Sequence, residues 1–462
     1  MPLKFIKKTY AGYHKPGGQK ELLKLALPMI ISTACDGIMT FTDRLFLAKV
    51  GSEQMNASLA GGISLQMLTF FFIGLIGYTT ALAAQYMGAS EPHNSSRSTF
   101  QGMLITLIAW PVILLVKPFI VSVFDWLNTP TSQIDYQITY VSILAWGSVF
   151  ALLRHTLSCF FVGIGRTKIV MRATVAAMIT NVALDYLLIF GKLGFQPMGI
   201  KGAALATVSG SVVATVILFS TYLAKKNSHS FSVIKSFRFS SEIMKKLLYF
   251  GSPAGLEMFL NFIAFFVMVA LFQGRGDVAS TATTIMFNWD LVSFIPLIGI
   301  ETSVTSLVGR YMGAGRPQMA HRAALSGIKT GIIYSVIILI LFVFIPKTLV
   351  LVFEPDIPSA VFNEAVPIAV KMIQIASLYV LLEAVMIAII GALRGAGDTH
   401  FTMLVSVITH WAFVPVLYVC LNVFHFSVPL SWFVLVLFFL IFSLILVQRF
   451  RSGKWKKIKV LS

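Results

Sequence analysis

Residues Glu21 to Val50 read ELLKLALPMIISTACDGIMTFTDRLFLAKV, and this stretch decides the fold. From Leu25 to Leu47 it is nearly all apolar, long enough to cross a hydrocarbon core of about 30 Å. Yet it carries Asp36 and Asp43, and a proline at Pro28. A carboxylate in the middle of a spanning helix costs about 2.5–3.5 kcal/mol on insertion scales, so it persists only against protein or a water-filled cavity. Asp36 and Asp43 are seven residues apart and so lie on nearly one side of a helix, two turns from each other. That side is expected to face a polar cavity. Pro28 removes a backbone donor and is expected to bend the first third of the helix.

The rest of the chain repeats this chemistry. Of 462 residues, 57% are hydrophobic and only 12% charged, with a mean hydropathy of +0.84. A soluble domain cannot bury so much apolar surface, so the class is a polytopic membrane protein. Twelve apolar stretches stand out, at 22–48, 55–87, 98–123, 138–162, 169–191, 201–224, 247–272, 280–310, 325–353, 366–392, 401–424 and 428–448. The expected fold class is all-α.

The net charge of +18 suggests nucleic-acid binding, but its distribution argues otherwise. With both termini cytoplasmic, 27 of the 36 Lys and Arg fall at cytoplasmic ends and loops, eight on the other side, and Arg154 within a span. This is the positive-inside bias of a chain with an even number of spans, with attraction to anionic lipid as its by-product. No nucleic acid is expected as a partner. The apolar run after Lys24 has no small-residue cleavage site and reads as a span, not a signal peptide. Cys35, Cys159 and Cys420 are scattered in apolar stretches, with neither disulfide nor metal spacing. The basic N-terminal tail, with Phe5, Ile6 and Tyr10, either lies along the membrane surface or is disordered.

The two halves resemble each other. Gln85-Tyr-Met-Gly-Ala89 recurs as Arg310-Tyr-Met-Gly-Ala314, an offset of 225 that also takes Pro28 to Pro253, Gly74 to Gly299 and Pro92 to Pro317. Gly163-Ile-Gly-Arg-Thr167 and Gly395-Ala-Gly-Asp-Thr399 share a second pattern at an offset of 232. Each half is therefore a six-helix unit. Six spans return the chain to its starting side, so the repeat is parallel, about a pseudo-twofold axis along the membrane normal. The expected organisation is an N-terminal bundle at 1–224, a hydrophilic cytoplasmic linker at 225–246 and a C-terminal bundle at 247–462. The glycine turns at Gly163–Gly165, Gly313–Gly315 and Gly395–Gly397 lack the Lys-Ser/Thr of a phosphate loop. They read as tight turns where glycine supplies a positive φ.

Over nearly its whole length the chain resembles the MATE (multidrug and toxic compound extrusion) family, in its bacterial branch. The matching pieces are Pro28 followed by Asp43-Arg-Leu-Phe-Leu-Ala, Asn181-Val-Ala-Leu-Asp185 with Ile189-Phe-Gly191, Val308-Gly309 with Gly313-Ala-Gly315, and Gly391-Ala-Leu-Arg394-Gly-Ala-Gly397-Asp-Thr399. The last is the most specific. The resemblance implies an aspartate of helix 1 at Asp43 and an Asn/Asp pair of helix 5 at Asn181 and Asp185, which are four apart on one helix face. It implies acids on helices 7 and 10 of the C-terminal bundle. The helix 10 position is Glu383, with Tyr379 one turn earlier. The helix 7 position holds Asn261, so the chain departs from the family there, and Glu257 lies one turn earlier on the same face. The N-terminal substrate or proton site is then Asp36, Asp43, Asn181 and Asp185. The C-terminal cation site is Glu257, Asn261, Tyr379 and Glu383, with Na⁺ expected at Glu257 and Glu383.

Seven acids fall inside spans: Asp36, Asp43, Asp185, Glu257, Asp290, Glu301 and Glu383. Structural pairing with Arg44, Arg154, His155 or His410 is the plain alternative for any of them. Asp290 and Glu301 are equally compatible with helix ends, and His410 reads as a hydrogen-bonded packing residue. Carboxylates in a dry cavity attract cations and protons, and an ion then competes with a cationic substrate for the same charge. The expected function is an Na⁺- or H⁺-coupled antiporter of small organic cations, a monomer in the bacterial inner membrane, with no cofactor beyond the coupling ion. A lipid-linked saccharide flippase is the alternative, though it would need a cationic cavity. No HExxH, GxSxG or paired His–Asp motif in a loop supports a membrane-embedded enzyme.

Overall fold

The computed structural model describes residues 13–126, 131–355 and 359–461, and among them every regular element is helical. The tail residues Phe5, Ile6 and Tyr10 lie outside the described residues. The helices are α1 (Gln19–Val50), α2 (Ser52–Gly77), α3 (Thr79–Gly88), α4 (Pro92–Trp126), α5 (Thr131–Gly163), α6 (Thr167–Phe190) and α7 (Ile200–Leu223). Two short helices follow, α8 (Lys225–Phe231) and α9 (Val233–Ser236). The second half has α10 (Ser241–Gln273), α11 (Asp277–Gly313), α12 (Pro317–Phe344), the short α13 (Pro346–Leu351), α14 (Ala360–Ala376), α15 (Val380–Ala396), α16 (Thr399–Tyr418) and α17 (Val428–Ser452).

Among the described residues, eleven stretches are long and apolar enough to cross a bilayer, α2 and α3 together forming one, and the bent pair α14–α15, taken as one span, makes a twelfth. The twelve spans are thus present, and the tenth is bent by 49° at Ser377–Tyr379. The ninth starts earlier than the apolar run suggests, at Pro317, and closes at Phe344 before Pro346 opens α13. A proline cannot donate into a preceding turn, so it opens helices readily and does not continue them. Pro28 and Pro253 sit inside unbroken α1 and α10. The repeat is visible in the helix starts: α4 and α12 begin at Pro92 and Pro317, α6 and α16 at Thr167 and Thr399. Gly165, Gly315 and Gly397 each take a positive φ in the turns between them, the backbone that glycine alone adopts without strain.

The chain divides into two compact units. The N-terminal unit is Leu25–Phe259 with Gly309–Gly315 and Val460–Ser462. Its core holds Phe160, Phe161, Tyr222 and Phe231, packed edge to face. The stretch from 225 to 246 is folded onto this unit. The Gln101 amide donates to the Arg238 carbonyl at 3.0 Å, and the Ser236 hydroxyl to the His93 carbonyl at 3.3 Å. The start of α10 belongs here too, with Phe250 stacked on Tyr78.

The C-terminal unit is Met1–Lys24, Leu260–Val308 and Arg316–Lys459. Its core gathers Phe272, Met286, Phe342, Ile373, Tyr379, Phe413 and Trp432. The first residue of α1 and those just ahead of it are strapped to α12. The Ser326 hydroxyl donates to the Gly17 carbonyl at 2.9 Å, Arg322 to the Pro16 carbonyl at 3.1 Å, and the Gln19 amide to the Thr330 hydroxyl at 3.3 Å. Outward faces of the spans expose Leu115, Phe119, Ile179, Ile333 and Phe344, as helices need where lipid replaces water. Many span Ser and Thr hydroxyls donate to the carbonyl one turn earlier, as Thr156 does to Leu152 and Thr180 to Ala176, which satisfies them without a partner helix.

Candidate functional site

Within the N-terminal unit, α1, α6 and α7 bring four polar side chains together. The Asn181 amide donates to Asp43 Oδ1 at 3.2 Å, and the Thr207 hydroxyl to Asp43 Oδ2 at 2.9 Å. Asp185 lies against Asp43, carboxyl to carboxyl within hydrogen-bond reach. Asp43, Asn181 and Asp185 are 6%, 0% and 0% exposed. Neither Asp185 oxygen receives a donor from the protein. A hydrogen bond between two carboxyls needs a proton on one of them, and two ionised ones repel unless a cation bridges them. The close approach of α6 and α7 comes from small residues: a Cβ at Gly210 would lie 3.3 Å from that of Asn181. Tyr140 of α5 and Arg44 of α1 complete its electrostatic surroundings.

Asp36 makes a different contact. Its Oδ1 pairs with Arg154 Nη1 of α5 at 2.8 Å, so it balances a cation while Asp43 is held by neutral donors. Thr207 and Tyr140 were not singled out in the sequence. The only signal for Thr207 is its place in the run Gly202-Ala-Ala-Leu-Ala-Thr-Val-Ser-Gly210, where small residues dominate one helix.

In the C-terminal unit the bend of the tenth span gathers a second site. Tyr379, at the bend, donates its hydroxyl to Asp290 Oδ1 of α11 at 2.7 Å. Glu383, on the first turn of α15, is 6% exposed, and its Oε2 has no hydrogen-bond partner. Its carboxyl interacts electrostatically with Asp290 and with Tyr334 of α12. Tyr379 is packed flat on Phe439, ring centroids 4.9 Å apart. Asp290 thus lies mid-helix rather than at a helix end, and it is the acid that the structure brings to Tyr379 and Glu383.

Asn261 and Glu257 are the other expected members. The Asn261 amide donates to the Ser406 hydroxyl at 2.8 Å. Glu257 is buried, 3% exposed. Glu301 pairs with Arg394 at 2.6 Å, and the Thr305 hydroxyl donates to the Gly391 carbonyl at 3.0 Å. A Cβ at Gly391 would stand 2.6 Å from the Glu301 carbonyl oxygen. The motif from Gly391 to Arg394 is therefore a packing device that seats α15 against α11. The His410 ring meets the Ser406 carbonyl at 2.7 Å. Among the described residues no cluster of three or more His, Cys, Asp or Glu is arranged for a resident metal.

A Thermotoga maritima protein named as a probable multidrug resistance protein NorM is 27% identical over 97% of this chain and 95% of its own length. The Pseudomonas aeruginosa multidrug resistance protein PmpM is 27% identical over 85% of this chain and 81% of its own. The fold matches a crystal structure of MATE in the bent conformation, with a TM-score of 0.84 at 19% identity over 97% of this chain and 98% of that one. It also matches a MOP superfamily transporter from Pyrococcus furiosus, described as having a binding pocket of reverse polarity, at a TM-score of 0.88 and 18% identity over 97% and 99%. The MatE family model matches residues 28–187 and 253–419, two segments that open on the repeated prolines Pro28 and Pro253. With the match covering well over half of its length in two copies, the chain belongs to the MatE family.

Proposed function

We propose that this protein is a multidrug exporter that moves small organic cations out of the cell in exchange for Na⁺ or H⁺. It is a multi-pass protein of the bacterial inner membrane, with both termini cytoplasmic, working as a monomer among lipids. The observation that carries the reading is the contact of Asp43 with Asp185, held by Asn181 and Thr207 and sealed from solvent. Such a pair accepts one positive charge, from a proton, a sodium ion or a cationic substrate. Occupation by one excludes another, and that exclusion is the coupling. The names of the relatives and the acidic character of both candidate sites support the exporter reading over a saccharide flippase, whose diphosphate cargo needs cations.

The second acid cluster fits the same chemistry. Asp290 and Glu383 offer carboxylate oxygens and Tyr379 a phenolic one, the oxygen donors that a hard monovalent cation prefers. We place the coupling-ion site of the C-terminal unit there. Uptake of an organic cation into everted vesicles under imposed Na⁺ or H⁺ gradients tests the whole reading. Uptake that follows one gradient and disappears in Asp43→Asn is the expected result. Uptake indifferent to both gradients would sink it.

A further inference from the structure

Beside the bend of the tenth span, the outer surface of the C-terminal unit carries a groove between α14 and the start of α17. It holds about 430 Å³, and its lining includes Lys371, Gln374 and Leu378 from α14 and Pro429, Leu430 and Phe433 from α17. On α14 the exposed residues Glu364, Pro367, Lys371, Gln374 and Leu378 recur at intervals of three and four, so they form one outward stripe. Along it the chemistry steps from a carboxylate through an ammonium and an amide to hydrocarbon. The pair α14–α15 crosses the membrane once and α16 crosses back, so α14 and α17 enter from the same side. Pro429 and Leu430 lie in the first turn of α17 and Phe433 in the second. With 25 residues, α17 is about 37 Å long at 1.5 Å per residue, more than a hydrocarbon core of about 30 Å, so its first turn lies among the headgroups. Lys371 shares the groove with that turn, and Leu378 lies about 10 Å further in. Lys371 has no ion pair among the described residues. A lone ammonium against hydrocarbon is costly, whereas one at headgroup depth is matched by lipid phosphate.

We propose that this groove is a binding site for a phospholipid with an anionic headgroup, seated in the leaflet where α17 begins. Its phosphate meets the Lys371 ammonium, the Gln374 amide donates to the same headgroup, and one acyl chain runs inward along Leu430, Phe433 and Leu378. A zwitterionic lipid brings its own ammonium, which competes with Lys371 for the phosphate, so the site favours a headgroup without a cation. The occupant also bears on the bend. Leu378 lies within it, where the Leu378 N–H donates to the Ile375 carbonyl and the Tyr379 N–H to the Ala376 carbonyl, each at 3.0 Å, in place of the bonds one residue longer that an α-helix makes. A chain packed on Leu378 covers the outer side of this short-bonded turn and steadies the break that aims Tyr379 at Asp290. Lipid binding here is independent of what the protein transports, and it is measured without transport.

The test titrates the full-length protein with phosphatidylglycerol or phosphatidylethanolamine of matched acyl chains and counts bound lipid by native mass spectrometry. The wild type is expected to hold its tightest phosphatidylglycerol about fivefold better than phosphatidylethanolamine, the value of one lysine beside a lipid phosphate. Lys371→Gln is expected to erase that preference and Lys371→Arg to keep it. Leu430→Trp, which fills the groove and leaves the lysine in place, is expected to release one phosphatidylglycerol. In nanodiscs, amide exchange at residues 377–380 is expected to be slower in phosphatidylglycerol than in phosphatidylethanolamine for the wild type, and equal in the two for Lys371→Gln. A wild type that holds the two lipids equally, or a Lys371→Gln variant that keeps the preference, overturns the site. Exchange at the bend that ignores the lipid overturns the link between the groove and the bend.

Discussion

Tyr379 hands its hydroxyl to Asp290 at 2.7 Å, from the bend of the tenth span to the middle of the eighth. The bend makes this possible. A straight helix through Ser377–Tyr379 would carry the ring on along the helix, whereas the break turns it against Phe439 and Trp432 and aims the hydroxyl across the bundle. Removing the hydroxyl alone, in Tyr379→Phe, keeps the stack. Membrane level is expected to stay near wild type, while the concentration of coupling ion for half-maximal export rises several-fold, about one lost hydrogen bond. Tyr379→Ala should instead lower the protein level, since truncating a fully buried aromatic costs about 3–5 kcal/mol. Equal ion dependence in Tyr379→Phe and wild type would remove the residue from the site.

The identity of the second acid is open to direct comparison. Asp290 interacts with both Tyr379 and Glu383, and Glu257 is the acid that sequence spacing favours. Asp290→Asn is expected to abolish gradient-driven export and Glu257→Gln to reduce it less. The reverse order, measured in the same vesicles at matched protein level, would move the cation site to Glu257.

In the N-terminal unit, Thr207 is the donor that no motif marks. Thr207→Val keeps the shape and deletes the bond to Asp43 Oδ2. Export should slow by about tenfold to a hundredfold, the value of a hydrogen bond to a charged group. Asp43→Asn should bring drug resistance in a sensitised host down to that of the empty vector. Resistance unchanged in Asp43→Asn, with normal expression, would end the case for this site.

Glu301 and Arg394 are 15% and 21% exposed at their side chains. Breaking a pair this deep by Arg394→Gln removes the cation that faces the Glu301 carboxylate and should cost about 3–5 kcal/mol. The double variant with Glu301→Gln should recover most of it, measured as thermal unfolding in detergent. If both variants unfold alike, the pair is not what seats α15 on α11.

Gly17 has a φ of +72°, and a Cβ there would lie 2.6 Å from the Met319 carbonyl oxygen. Gly17→Ala meets both a backbone penalty and a clash, together about 2–4 kcal/mol against the strap. Trypsin should then cut at Lys20 faster than in wild type. Identical cleavage would show that the strap tolerates the side chain.

Much of this protein is legible without coordinates. Apolar runs of spanning length, the 225-residue offset and the positive-inside charge bias each follow from local chemistry: a hydrocarbon core excludes polar backbone, and a duplicated unit repeats its prolines and glycines. The helix starts at Pro92, Pro317, Thr167 and Thr399, and the positive φ of Gly165, Gly315 and Gly397, are of this kind. So is the presence of acids inside the spans. Which acid meets which partner is not. Asp36 finds Arg154 from 118 residues away, Arg394 finds Glu301 across 93, and Tyr379 finds Asp290 across 89. Helical periodicity says which face a residue occupies on its own helix. The rotation and height of the neighbouring helix, and the bend that redirects Tyr379, come from packing of whole helices against one another. Only the tertiary structure therefore separates the acid neutralised by arginine from the acids held against each other.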